Sequence, residues 1–102
     1  MAAKPVTVGD KHFPTKGTLT KYCQEVRDRY QYLNNKVVTD PDDDAFLRAL
    51  LALHSEADQK MRPGVDYFEV RKHPDWDTYG FWVVRTDGTE DDFSYPDIIR
   101  KL

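Results

Sequence analysis

His54, with Glu56 two residues on and Asp58 four residues on, brings a histidine and a carboxylate, both metal-ligand types, to helical spacing in this 102-residue chain. Residues four apart share a helix face, so His54 and Asp58 could offer two ligands to one cation. A protein metal site usually takes three or more, and the other histidines, His12 and His73, fall in separate loops. The plainer expectation is that His54 closes a helix by meeting its last carbonyls and its dipole. Cys23, the single cysteine, sits in an apolar stripe with no histidine near it in sequence, and is expected to be a buried, inert thiol. For acid–base chemistry the only polar trio is His54, Arg85 and Asp92. The chain has no phosphate loop, Gly-x-Ser-x-Gly, His-Glu-x-x-His or Cys-x-x-Cys. No cofactor and no metal are expected.

Binding chemistry has more to draw on. Tyr67, Phe81, Trp82 and Tyr95 with Arg71 and Arg85 could give a sheet face with stacking rings and phosphate-directed guanidinium groups, as single-stranded RNA recognition uses. Gly80-Phe81-Trp82-Val83 does not match the RNP1 signature of an RNA-recognition motif, and aromatics filling both sides of a packed sheet would look the same. Lys60, Arg62, Arg71 and Lys72 bracket the Pro63-Gly64 turn and could form a basic patch, although solvated side chains are the commonest explanation of such a cluster. The acidic run Asp40 to Asp44 reads as helix capping. An EF-hand loop needs a ligand spacing, a central glycine and a terminal glutamate that this run lacks.

The elements that must position these residues follow from spacing. Val6 and Val8, a Gly9-Asp10 turn and His12-Phe13 predict a small hairpin. Leu19, Tyr22, Cys23, Val26, Tyr30 and Leu33 recur at three and four residues and predict a helix ended by Asn34-Asn35. A second helix starts at an Asp40 N-cap with Pro41 at its first position, and its apolar set is Phe46, Leu47, Leu50, Leu51 and Leu53. A shorter helical turn from Ser55 to Lys60 stops at Pro63-Gly64. From Val65 a three-stranded antiparallel meander is expected, with Phe68 and Val70 on one face of its first strand and a loop from His73 to Thr78. Asp87-Gly88 between β-formers predicts a two-residue type I′ turn, which pairs Thr86 with Thr89, Arg85 with Glu90 and Trp82 with Phe93. That register sets a Trp82/Phe93 face against the helices and leaves Arg85, Glu90 and Asp92 on a wetter face. Pro96 to Leu102, with Ile98, Ile99 and Leu102, predicts a C-terminal helix.

Composition bounds the rest. The chain is 39% apolar and 32% charged, a thin core under a heavily solvated surface. Its net charge of -3 gives no diffuse attraction to nucleic acid, so RNA binding would need a local patch. The lone cysteine fits a reducing compartment, and no apolar run approaches a membrane span. With no apolar leader in Met1 to Val6, a soluble, cytoplasmic protein is expected.

The order of segments carries a resemblance. Phe46-Leu47-x-x-Leu50-Leu51-x-x-His54, then Lys60, Gly64-Val65-Asp66-Tyr67-Phe68, His73-Pro74, Phe81 to Gly88 and Asp92-Phe93-Ser94-Tyr95 together resemble the DCL family, named for "defective chloroplasts and leaves" and also known as DUF3223. The resemblance runs from Phe13 to Arg100. Its most specific part is Val-Arg-Thr-Asp-Gly followed by Asp-Phe-Ser-Tyr. Plant members of that family are implicated in plastid ribosomal RNA maturation, and a related domain sits at the C-terminus of a plant RNA polymerase large subunit; with no transit peptide, the plastid role is not expected to transfer, and a bacterial-type stand-alone domain is the expectation. Two departures narrow what carries over: Lys60-Met61-Arg62-Pro63-Gly64 stands where plant members have Lys-Ile-Gly, and Tyr79-Gly80 where they have Arg-Cys. A cysteine-dependent role does not transfer.

The expectation is therefore an α+β domain over 1–102: a small antiparallel sheet with a C-terminal three-stranded meander, packed against two main helices, plus a short C-terminal helix. The expected function is a non-catalytic RNA-associated or ribonucleoprotein-assembly module; the alternative is a protein-interaction adaptor, and the third is a small enzyme. His54, Lys60, Arg62, Arg71, Lys72, Arg85 and Ser94 are the candidate contacts to RNA or a protein partner.

Overall fold

The computed structural model describes residues 5–31, 37–72 and 79–102. Leu33 and the Asn34-Asn35 helix end, like the His73 to Thr78 loop, lie outside the described residues.

A hairpin opens the fold, β1 (Val6–Val8) pairing with β2 (Lys11–Phe13) so that Val8 faces Lys11. Gly9 takes φ of 62° at the first central position of this two-residue turn, the conformation only glycine adopts without strain. A Cβ there would stand 3.2 Å from the Ala49 Cβ, so the same glycine lets the hairpin lie against the second helix of the chain, which carries Ala49. Helix α1 (Lys16–Gln31) buries Leu19, Cys23, Val26 and Tyr30 along one stripe, as its spacing predicts. Helix α2 (Pro41–Leu51) starts on the Asp40 cap, whose carboxylate accepts from the Asp42 and Asp43 N–H groups, with Pro41 in the first turn. It buries Phe46, Leu47, Leu50 and Leu51. Leu53 does not belong to that set, because the helix ends at Leu51 and the following turn leaves Leu53 41% exposed.

Asp43 is more than a dipole complement. It is fully buried, both its oxygens accept from Arg29 Nη1 at 2.7 Å, and it takes a hydrogen bond of 2.6 Å from the Tyr30 hydroxyl. Burial, reinforced by that carboxylate, pushes the Tyr30 phenol above its ordinary pKa. The end of α1 is thereby locked to the start of α2. The position was readable, since residue 43 lies on the stripe of 46, 47 and 50.

After α3 (Ala57–Met61) the chain forms β3 (Val65–Lys72), β4 (Tyr79–Arg85) and β5 (Glu90–Phe93), an antiparallel sheet in that order. Val38 N–H donates to the Phe68 carbonyl at 2.8 Å and Val37 bridges Glu69, so the lead into α2 runs along the outer edge of β3. Helix α4 (Tyr95–Arg100) follows a Ser94 N-cap and buries Ile98 and Ile99. Helices α1 and α2 lie against one face of the sheet, with α4 packed on both helices. The architecture is the α+β arrangement expected.

The register of the last hairpin differs from the expected one. Phe81 pairs with Phe93, Trp82 with Asp92, Val83 with Asp91 and Val84 with Glu90. Arg85 N–H donates to the Thr89 carbonyl at 2.8 Å and Gly88 N–H to the Arg85 carbonyl at 2.9 Å, so three residues, Thr86, Asp87 and Gly88, make the loop. Gly88 has φ of 85°, and no described residue other than glycine has positive φ, which rules out a type I′ turn at Asp87. The geometry is the type I turn closed by a left-handed glycine. Asp87 adds to it by accepting from the N–H (3.0 Å) and the hydroxyl (2.5 Å) of Thr89. One extra loop residue slides the register by one and exchanges the faces. Phe81, Val83 and Phe93 form the core side, and Trp82 turns outward, where it joins Glu90 and Asp92. Arg85 leaves that wet face for the side of α3.

Two outcomes follow. Gly88→Val should lower stability by about 1 to 3 kcal/mol in a chemical melt, because a β-branched residue is strained at positive φ. Phe81→Ala should cost about 3 to 5 kcal/mol and Trp82→Ala far less, the reverse of the order that a two-residue turn would give.

Candidate functional site

The sheet face away from the helices is built in cross-strand rows: Tyr67, Val84 and Glu90; Glu69, Trp82 and Asp92; then Arg71 and Gly80. A bulge between Val65 and Tyr67 aims the first strand's polar residues at this face, and Arg48 secures it by donating to the Val65 and Asp66 carbonyls at 3.1 and 3.0 Å.

Arg71 is the centre of the face. Its guanidinium carbon lies 5.0 Å from the centroid of the Trp82 ring, within cation–π range. Both Glu90 oxygens accept from it, at 2.9 and 2.6 Å, and Glu69 accepts from its Nε at 2.5 Å. The Glu90 hydrogen bonds raise the Arg71 pKa further still, and Arg71 in turn holds the Glu90 carboxyl below its ordinary value. A depressed carboxyl pKa favours the folded arrangement at neutral pH, and that contribution fades as acid protonates Glu90. At neutral pH the guanidinium is therefore held over the indole by two carboxylates.

Next to this stack lies a cleft of about 310 Å³, bordered by Arg27, Arg71, Tyr79, Gly80, Trp82 and Asp92. Arg27 comes from α1, holding Asp28 at 3.0 Å and reaching the Tyr95 hydroxyl at 3.4 Å. Gly80 lies inside β4, yet a Cβ at this position would touch nothing within 4 Å. The Asp92 carboxylate takes no hydrogen bond or ion pair among the described residues. The cleft thus brings together two guanidinium groups, aromatic rings and one carboxylate.

The candidate residues divide around it. Arg71 and Ser94 border the cleft, although Ser94 is also the cap of α4, accepting from the Asp97 N–H at 3.3 Å. Lys60 and Arg85 meet elsewhere: Arg85 Nη1 donates to the Lys60 carbonyl at 2.8 Å, and Lys60 Nζ reaches Asp91 at 3.0 Å and the Asp92 carbonyl at 2.9 Å. That lysine clips α3 to β5 and shields an edge strand from pairing. Arg62 makes an exposed pair with Asp58, and Lys72 ends β3. The His54 ring does not meet the carbonyls of α2, although its backbone N–H donates to the Leu51 carbonyl at 2.9 Å; its Nδ1 accepts from the Glu56 N–H at 2.9 Å. Of the polar trio, His54 borders a smaller depression beside Asp97 and Lys101, Asp92 borders the cleft and Arg85 neither. No cluster of three metal-ligating side chains occurs among the described residues, and no described helix is long and apolar enough to cross a membrane.

Sequence reasoning missed Arg27, which reads as a solvated helix residue, and the part of Gly80. Glycine inside a strand was the available signal, since it marks close approach of a ligand or another backbone. Cys23 is fully buried in the core, and burial pushes its thiol up to about 12. It should resist a thiol reagent at pH 8 in the folded protein and react at once in denaturant; rapid native labelling would contradict that placement.

Comparison with known proteins adds the family. Residues 28–99 match the model of the "Protein of unknown function (DUF3223)" family. The protein DCL of Solanum lycopersicum is 46% identical over 58 residues, 56% of this chain and 26% of that protein. Subunit 1 of the DNA-directed RNA polymerase V of Arabidopsis thaliana is 37% identical over 65 residues, 63% of this chain and 3% of the subunit. A solution NMR structure of an uncharacterised protein from Rhodospirillum rubrum superposes with a TM-score of 0.83 at 35% identity, covering 94% of this chain and 88% of the other. The chain spans about half or less of the length of the curated relatives it matches. The tomato protein is chloroplastic, which overturns the cytoplasmic location expected from the sequence. Destination is carried by targeting segments rather than by the composition of a folded domain.

Proposed function

We propose, since this chain belongs to the DUF3223 family, that it is a non-catalytic module working with RNA or in ribonucleoprotein assembly, and that it binds through the outer face of its three-stranded sheet. The observation carrying this reading is the cleft in which Arg27 and Arg71 stand beside Trp82 and Tyr79, the pairing of cations and rings that unpaired nucleic acid engages. Similarity to an RNA polymerase subunit and to the DCL protein supports it. The narrower role that the family resemblance implies, maturation of ribosomal RNA, belongs to the same reading.

An adaptor for a protein partner is the second reading. The net charge of -3 favours it, as does the presence of Glu69, Glu90 and Asp92 on the face that carries Arg71. Salt separates the two. Retention of a single-stranded RNA should fall with log salt at a slope of about 0.7 or more, roughly 0.7 of it from the phosphate met by Arg27. The RNA should come back intact after incubation. No retention at low salt, with a purified protein partner bound instead, would favour the adaptor; cleaved or altered RNA would end the non-catalytic reading.

A further inference from the structure

We propose that the cleft is a pocket for one unpaired nucleobase, guanine by preference, stacked on the Arg71 guanidinium. The inference rests on the RNA reading above and specifies its ligand. Three observations converge on it. The first is the stack itself. Arg71 lies over Trp82, and Glu69 on its own strand and Glu90 on β5 tie its nitrogens, so the guanidinium is a preformed, restrained group that stays partly exposed. Nucleobases stack on guanidinium planes as they do on rings. The ion pairs cost Arg71 much of its value as a phosphate anchor, and they give it the rigidity a stacking platform needs.

The second observation is Gly80, which sits in the row of Arg71 on the outer face. A glycine inside a strand weakens it, and here no packing demands one, because a Cβ would meet nothing within 4 Å. What the missing side chain provides is open space against the edge of the platform. At about 310 Å³ the cleft stands at the small end of ligand sites, suited to one base and not to a duplex. The third is the Asp92 carboxylate, in the row of Trp82 and without a protein partner among the described residues. A carboxylate only accepts, so it selects a base edge that offers adjacent donors, as the N1–H and N2–H of guanine do. Arg27, on the wall contributed by α1, meets the phosphate by exchanging its pair with the half-exposed Asp28.

The test uses the full chain and fluorescently labelled single-stranded decamers carrying a central guanine or adenine in an otherwise uracil strand. Gly80→Leu fills the cleft without altering charge, and Arg71→Lys keeps the charge while removing the plane. Each should weaken binding of the guanine strand by about tenfold or more, with a native melt confirming the fold. Arg27→Gln should lower the salt slope by about 0.7. Asp92→Asn should bring the guanine and adenine strands to equal affinity. If the wild type binds RNA and Gly80→Leu and Arg71→Lys bind it equally well, the pocket is overturned and the RNA reading stands. Equal wild-type affinity for the two strands overturns the guanine preference. If the wild type holds neither strand at low salt, the RNA reading falls and the pocket with it.

Discussion

Closure of the last hairpin on the Arg85–Thr89 pair decides what every residue of the sheet faces. With Gly88 supplying the left-handed residue that a three-residue loop needs, Phe81, Val83 and Phe93 point at the helices. Trp82 must then point away from them, into the company of Arg71, Glu69, Glu90 and Asp92. A slip of one position would set Trp82 beside Phe93 and Asp91 against the helices and turn Phe81 out to the wet face. The turn therefore fixes the core and the outer face by one geometric choice. Asp87 and Thr89 stabilise that choice with local hydrogen bonds.

The helices secure the other side. The buried Asp43 carboxylate, held by Arg29 and Tyr30, fixes where α1 ends relative to where α2 begins, and breaking such a pair leaves an uncompensated charge in the core. That constraint places Arg27, nearly a turn before Tyr30 on α1, at the border of the cleft. Arg48, Lys60 and Arg85 tie the bulge, the edge strand and α3 to their neighbours. Much of the cationic side-chain chemistry is thus spent on holding the sheet in shape, which is how a chain of negative net charge can keep two arginines beside an aromatic platform.

How much of this was legible depended on whether a residue answers to local or to distant partners. The stripe of Leu19, Cys23, Val26 and Tyr30, the Asp40 cap with Pro41, and the alternation of Phe68 and Val70 are local, and each was readable. The Asp87-Gly88 hairpin was readable as a turn, but its loop length was not: Asp-Gly suits both two- and three-residue connections, and the choice is settled by packing of Phe81 and Phe93 against the helices. Leu53 misled because its spacing continued past a helix that had already ended. For the site, Arg71 and Trp82 were singled out from residue type, but their stacking, and the arrival of Arg27 from a helix, depend on tertiary placement that periodicity does not encode. The basic cluster around Pro63-Gly64 was legible as composition only. Its members separate into a shield for an edge strand, an exposed ion pair and a stacking platform.

The central claim is that the outer face of the sheet, with Arg71 seated on Trp82, is where this domain meets RNA. The most direct measurement is a nuclear magnetic resonance titration of the labelled protein with a short unpaired RNA, following backbone amides, the Trp82 indole N–H and the Arg71 Nε–H together. The expected result is a set of shifts confined to Arg71, Gly80, Trp82, Asp92 and their neighbours, with the core amides of Phe68 and Val83 unmoved. Shifts gathered instead around Lys60, Arg62 and Arg85 on the α3 side, with the indole and the Arg71 Nε–H unchanged, would contradict it.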